Sequence, residues 1–172
     1  PARARLVGAQ MVSDEMFSGW GVRTAGRLEM RYNPMSYHNG SVWPHDNALI
    51  ALGFARYGFG REAARVFEGL FDAAIYMDLR RLPELFCGFA RDRRYYSMPA
   101  QYPVSCSPQA WAAGSAFLTM QSLLGLRADA QAQRLILRPT LPRGINSVQL
   151  RNMRVGPHRV EGLRVRGVAR RL

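Results

Sequence analysis

A helix with no polar face after its first turn must be surrounded on every side, and this sequence places such a stretch at Pro44 to Tyr57 (PHDNALIALGFARY). Pro44 suits the first helical turn, Asp46 follows it, and Gly58 is a stop signal. Ala48, Leu49, Ile50, Ala51, Leu52, Phe54 and Ala55 leave nothing to face water, so the helix is expected to be buried all round. The next pattern, Arg61 to Met77, differs: Arg61, Arg65, Glu68 and Asp72 recur at spacings of four, three and four and form one polar stripe. Ala63, Ala64, Val66, Phe67, Leu70, Phe71, Ala74 and Ile75 supply the opposite face. A third helix is expected at Pro108 to Leu124, with Ser107 as N-cap and Gly125 as terminator. Its few polar groups, among them Gln109, Ser115, Thr119 and Gln121, make it another buried helix, so the order reads inner, outer, inner.

From Arg134 onward the period shortens. RLILRP, SVQLRNMRV and HRVEGLRVRGV alternate branched apolar with polar residues between Pro and Gly breakers and predict three short strands. Val12 to Arg31 reads as Gly-punctuated loop with no clear element before it. The 172 residues suffice for one domain with a core. Because the chain opens on Pro1 and on loop-like sequence, it is expected to be the C-terminal part of something longer, divided into residues 1–130 and a β tail at 131–172.

The formal charge of +12 comes from 24 Arg and no Lys, a bias that a GC-rich coding genome explains as well as selection for phosphate contacts. Ten of these Arg lie between Arg134 and Leu172 against one acid, Glu161, without the interleaved aromatics of single-strand binders. No nucleic-acid partner is therefore expected, and a salt titration would expose one, since phosphate-driven affinity collapses with added salt. Cys87 and Cys106 form neither a disulfide framework nor a CxxC spacing. No apolar run reaches the roughly 18 residues of a membrane span, so no membrane association is expected.

The chemistry is concentrated in SYHNGSVWPHDN, Ser36 to Asn47, where two His, two Asn, one Asp and one Trp precede the apolar helix. Such crowding points to a polar ligand. Tyr37 and Trp43 offer faces on which the C–H side of a sugar ring packs, and His38, Asn39, His45 and Asp46 can bond its hydroxyls. The same residues admit a plainer reading, with Trp43 in the core and Asp46 as a first-turn carboxylate favoured by the helix dipole. In Leu82 to Gly88 (LPELFCG) one carboxylate, Glu84, stands among apolar neighbours. Buried, it needs a partner; unburied, it faces a wet cleft, so it is a catalytic base, the mate of a neighbouring Arg, or surface. Gln109 and Trp111 open the third helix and can line the same pocket. His45 and Asp46 diverge by about 100° on a helix and lack the i, i+4 pairing of helical zinc ligands, so no metal is expected. Ser105 and Cys106 carry no nucleophile signature.

Four strings in order, MFSGWGVRT, YNPMSYHNGSVWPHDNALIALGFARYG, RLPELFCGF and YPVSCSPQAWAAGS, resemble the C-terminal part of bacterial amylo-α-1,6-glucosidase-like proteins. These are glycogen-debranching-related members of the six-hairpin glycosidase superfamily, and the likeness runs from Met16 to about Arg154. The resemblance implies a mainly α chain forming part of an (α/α)6 toroid with a short C-terminal β segment. It also implies an inverting hydrolase of α-glucosidic linkages in oligo- or polysaccharides, needing no cofactor and cytoplasmic in location. Glu84 matches the general base; the general acid is expected upstream, so the chain would need the missing part of the barrel or self-association. The alternative is a carbohydrate-binding remnant that does no chemistry.

Overall fold

A computed structural model describes residues 2–92, 94, 98–129 and 131–166. Four α-helices dominate: α1 (Ala2–Met11), α2 (Pro44–Arg56), α3 (Gly60–Ala74) and α4 (Ala110–Leu124). Two antiparallel hairpins follow, β1 (Arg127–Asp129) with β2 (Arg134–Ile136) and β3 (Ser147–Val155) with β4 (His158–Arg166). The chain is thus mainly helical with small sheets. The third expected strand runs past Arg166 into residues outside those described, and the expected division at 130/131 falls inside the β1–β2 hairpin.

α2 packs on both α4 and α3, and α3 also touches α4. The face of α4 that meets its neighbours is built from small and hydroxylic residues, Ala112, Ser115, Thr119 and Ser122, all buried. Their hydroxyls cost nothing to bury because each donates to a carbonyl one turn back, Thr119 to Ser115 at 2.8 Å and Ser122 to Leu118 at 2.7 Å. Gly125 closes α4 in the left-handed conformation at φ 54°, which glycine adopts without a Cβ penalty.

Several expectations are corrected. α1 occupies a stretch read as lacking structure: its pattern is weakly apolar, and only Gly8 is buried, close against the Phe59 ring. The N-cap of α4 is Gln109 rather than Ser107, because Gln109 itself is extended and helical bonding begins after it. α2 is not buried all round, since Leu49 is half-exposed while Ala48, Ala51 and Phe54 face the core. α3 ends at Ala74, and Phe71 and Ile75 lie exposed, so its buried face is Ala63, Ala64, Val66, Phe67, Gly69, Leu70 and Ala73. Phe117 on α4 is also largely exposed.

The main core gathers Trp20, Val22, Val42, Phe54, Val66, Leu70 and Phe86 between helices and loops. The loops join it through single-residue antiparallel bridges, Arg23 to Val42, Val42 to Phe86 and Phe86 to Gln101. These bridges lay four segments distant in sequence side by side at the starts of α2 and α4. That surface carries the chemistry.

Candidate active site

Glu84 lies in the third of these segments, held in extended form by two backbone bonds between Val42 and Phe86 (2.9 and 3.0 Å) and by its own N–H to the Cys106 carbonyl at 2.9 Å. Pro83 and Leu85 line a cavity of about 290 Å³ with Tyr102 and Ser105, and Glu84 does not, as alternation along an extended chain requires. The Glu84 carboxylate instead meets the aromatic loop.

Glu84 as a residue is 8 % exposed. Tyr37 donates its hydroxyl to Oε1 at 2.6 Å, and the Cys106 N–H donates to Oε2 at 3.3 Å. No arginine is ion-paired with Glu84 among the described residues, so its burial is satisfied by neutral donors. The Tyr37 bond holds the carboxyl below the usual carboxylate range; burial opposes this, and the Cys106 N–H, the Gln109 amide and the Cys106 thiol reinforce it. Tyr37 answers in the opposite sense, its phenol pushed up to about 12 first by the bond to Glu84, then by desolvation and the carboxylate's charge. The pair is therefore a carboxylate and a neutral phenol at neutral pH.

Around this pair the rings interlock. Tyr37 lies edge-on to Trp43 at 4.8 Å, to His38 at 4.7 Å and to Tyr102 at 5.7 Å. His38 stacks on Trp43, Trp43 meets Trp111 edge-on at 6.2 Å, and His45 stacks on Trp111 at 4.5 Å. Trp43 is 7 % exposed and donates Nε1 to Ser41 Oγ and the Tyr37 carbonyl, so it serves as the inner course of the wall. Trp111, 45 % exposed, presents the open face. The structure thus brings together Tyr37, His38, Trp43, His45, Trp111, Gln109 and Glu84.

Two other candidates stand apart. Asn39 is exposed and its backbone closes the loop onto Asn33 and Ser36. Asp46 is exposed and approaches only His45, with Oδ1 3.5 Å from Nδ1. Gln109 leaves its Oε1 buried without a hydrogen-bond partner. Sequence reasoning missed Tyr102 and the Cys106 backbone, both within the fourth string, and Arg23 and Asn47, both within strings it had singled out; nothing in residue type alone separated them from their neighbours. Among the described residues no cluster of three or more His, Cys, Asp or Glu is placed to hold a metal, and no helix is long and apolar enough to cross a membrane.

Residues 1–84 match the family model described as the mannosylglycerate hydrolase MGH1-like glycoside hydrolase domain. That supports a glycoside hydrolase of the six-hairpin superfamily, and with it a carbohydrate as the substrate class. The match takes in the aromatic loop and ends on Glu84, while Tyr102, Cys106, Gln109 and Trp111 lie beyond it. No curated protein matches the chain.

Proposed function

We propose that the chain supplies the water-activating half of an inverting glycosidase that cleaves α-glucosidic linkages, as its likeness to amylo-α-1,6-glucosidase-like proteins implies, with Glu84 as general base. The observation that carries this reading is the Glu84 carboxylate itself, ionised by neutral donors and set against an aromatic wall. An ionised carboxylate has about four lone-pair sites; the Tyr37 hydroxyl and the Cys106 N–H hold one each at 2.6 and 3.3 Å, and an activated water takes the place of the Gln109 amide or the Cys106 thiol at the others. Water bonded there gives up a proton to Glu84 as its oxygen attacks the anomeric carbon. The leaving oxygen takes its proton from a second carboxyl group, which inverting geometry places roughly 6.5–9.5 Å from the first. We assign that acid to a part of the barrel upstream of these residues. The non-catalytic alternative, sugar binding alone, keeps the wall and lacks the acid.

The test is a substrate panel with the product's anomeric form followed by proton NMR in the first minutes. Malto- and isomalto-oligosaccharides are expected to release the β-anomer from an α-linkage. Mannosylglycerate, named in the matched family's description, is the competing substrate; faster cleavage of it would overturn the glucosidic assignment, and initial release of the α-anomer would overturn inversion. Binding to the chain itself separates enzyme from remnant less directly but locates the sugar. Trp111→Ala removes the open aromatic face, a contact worth about 0.5–1.5 kcal/mol, and so weakens malto-oligosaccharide binding roughly 3- to 10-fold in calorimetry. Unchanged affinity would move the sugar off this wall.

A further inference from the structure

Arg23 is 3 % exposed, yet among the described residues its guanidinium pairs with no carboxylate. Nε donates to the Gly88 carbonyl at 2.6 Å, and Nη1 donates to the carbonyls of Glu15 at 3.1 Å and Asp14 at 3.4 Å. The guanidinium lies over the Tyr32 ring, whose hydroxyl donates to the same Gly88 carbonyl at 3.3 Å. Burial pushes the Arg23 pKa down, the mark of a charge removed from water without a counter-ion. A cation so placed is a costly way to fill space, and apolar groups would fill it better. What it fixes is Gly88.

Gly88 sits four residues after Glu84 and is held on every side. Its N–H donates to the Pro34 carbonyl at 2.8 Å, and a Cβ at this position would overlap the Gly40 carbonyl oxygen. Gly40 belongs to the loop of Tyr37 and Trp43, and its N–H donates to Thr24 Oγ1 at 2.8 Å, next to Arg23. The Arg23 backbone bridges Val42, which in turn bridges Phe86. Tyr37 is tied to this frame because its carbonyl accepts from Ser41 Oγ at 2.7 Å. Residues 23 and 24 therefore grip both the loop that carries Tyr37 and the segment that carries Glu84.

We propose that Arg23 is a positioning residue, its buried guanidinium clamping the Gly88 carbonyl so that the Glu84 segment stays in register with the loop bearing Tyr37. The catalytic significance of the clamp rests on the reading of Glu84 as base, but the clamp can be measured without it. In the full chain with tyrosine labelled at Cζ, and with Tyr37→Phe to identify the signal, Tyr37 is expected to titrate near 12. Arg23→Ala is expected to return it toward the ordinary value of about 10. Arg23→Lys is expected to fall between, because an ammonium can meet one carbonyl without the guanidinium's planar fork. Arg65→Ala is the control: it also removes an arginine bond to a carbonyl, that of Val12 at 2.7 Å, but away from the clamp. It should leave Tyr37 where it is. In the intact glycosidase the Arg23 variants should lose about 10- to 100-fold in kcat at little changed KM, as small misplacements of reacting groups do. A folded Arg23→Ala or Arg23→Lys chain in which Tyr37 still titrates near 12 overturns the proposal, as does an equal shift in Arg65→Ala. If Arg23→Ala does not fold, the lysine variant decides. Loss of the Glu84 reading would show separately, as Glu84→Gln with unimpaired hydrolysis, whatever Tyr37 does.

Discussion

On the proposed reading of Glu84 as general base, Glu84→Gln is expected to lower kcat of glycoside hydrolysis by at least about two orders of magnitude. Positioned general-base catalysis contributes typically about 10²–10⁴-fold, and glutamine keeps the shape and can still accept the Tyr37 hydroxyl but cannot take water's proton. KM should change little, since the lost interaction acts mainly in the transition state. Azide, which needs no deprotonation, is expected to restore part of the rate. The pH profile gives a second readout. Because hydrogen bonding lowers the Glu84 pKa, the acid limb of kcat/KM should lie below the ordinary glutamate value of about 4.3. Tyr37→Phe removes the leading cause of that shift, so the limb should move upward in pH. Near-normal kcat in Glu84→Gln would sink the assignment and make Asp46 the next carboxylate to test, despite its exposed place beside His45.

The same bond predicts how the fold responds to pH. A carboxyl whose folded pKa is depressed stabilises the folded state above its unfolded value, and that contribution disappears as pH falls through the folded one. Tyr37, with its pKa raised to about 12, contributes fully below about 10 and loses the contribution as pH rises through 12. Both ends of the profile therefore report on one hydrogen bond, and Tyr37→Phe should flatten both.

What could be read from the sequence follows the range over which each signal acts. α2 and the core of α3 were legible because apolar spacing is a local property of a helix, and β3 and β4 because alternation is equally local. The exposed faces were not: Leu49, Phe71 and Phe117 look like core in any window, and only neighbours distant in sequence decide what covers them. The cap of α4 misled because Ser107 and Pro108 make a good helix start, while the chain remains extended through Gln109. At the site, the isolation of Glu84 among apolar residues singled it out as a carboxylate either partnered or facing a cleft; the structure gives it neutral donors rather than an arginine. Its partners, a phenol 47 positions earlier and a backbone N–H 22 positions later, come from the bridged loops and have no sequence pattern.

Asn47 shows the same limit and carries a large expected effect on stability. In the sequence it is one of several polar residues that seem to await a ligand; in the structure it is fully buried, and its amide behaves as a second peptide group. Oδ1 accepts the Val22 N–H at 2.7 Å, while Nδ2 donates to the Val22 carbonyl at 3.0 Å and to the Trp43 carbonyl at 2.9 Å. It thereby fastens the segment carrying Arg23 to the start of α2 and to the aromatic wall. Asn47→Ala leaves the Val22 N–H and C=O without a partner in a dry place, while Trp43 keeps the backbone bond from residue 47 at 3.0 Å. Each orphaned buried group costs about 1–3 kcal/mol, so the variant should lose on the order of 3–5 kcal/mol, a large share of the roughly 5–15 kcal/mol that holds an ordinary domain. Asn47→Asp should fare little better, because a carboxylate satisfies the Val22 N–H but turns a lone pair on two carbonyls. Urea denaturation should show a lower midpoint at unchanged slope, and the Val22 amide should lose its protection from hydrogen exchange. A loss under about 1 kcal/mol in Asn47→Ala would mean that water or a rearranged loop satisfies Val22, and that the segments around Glu84 are held in place chiefly by the backbone bridges.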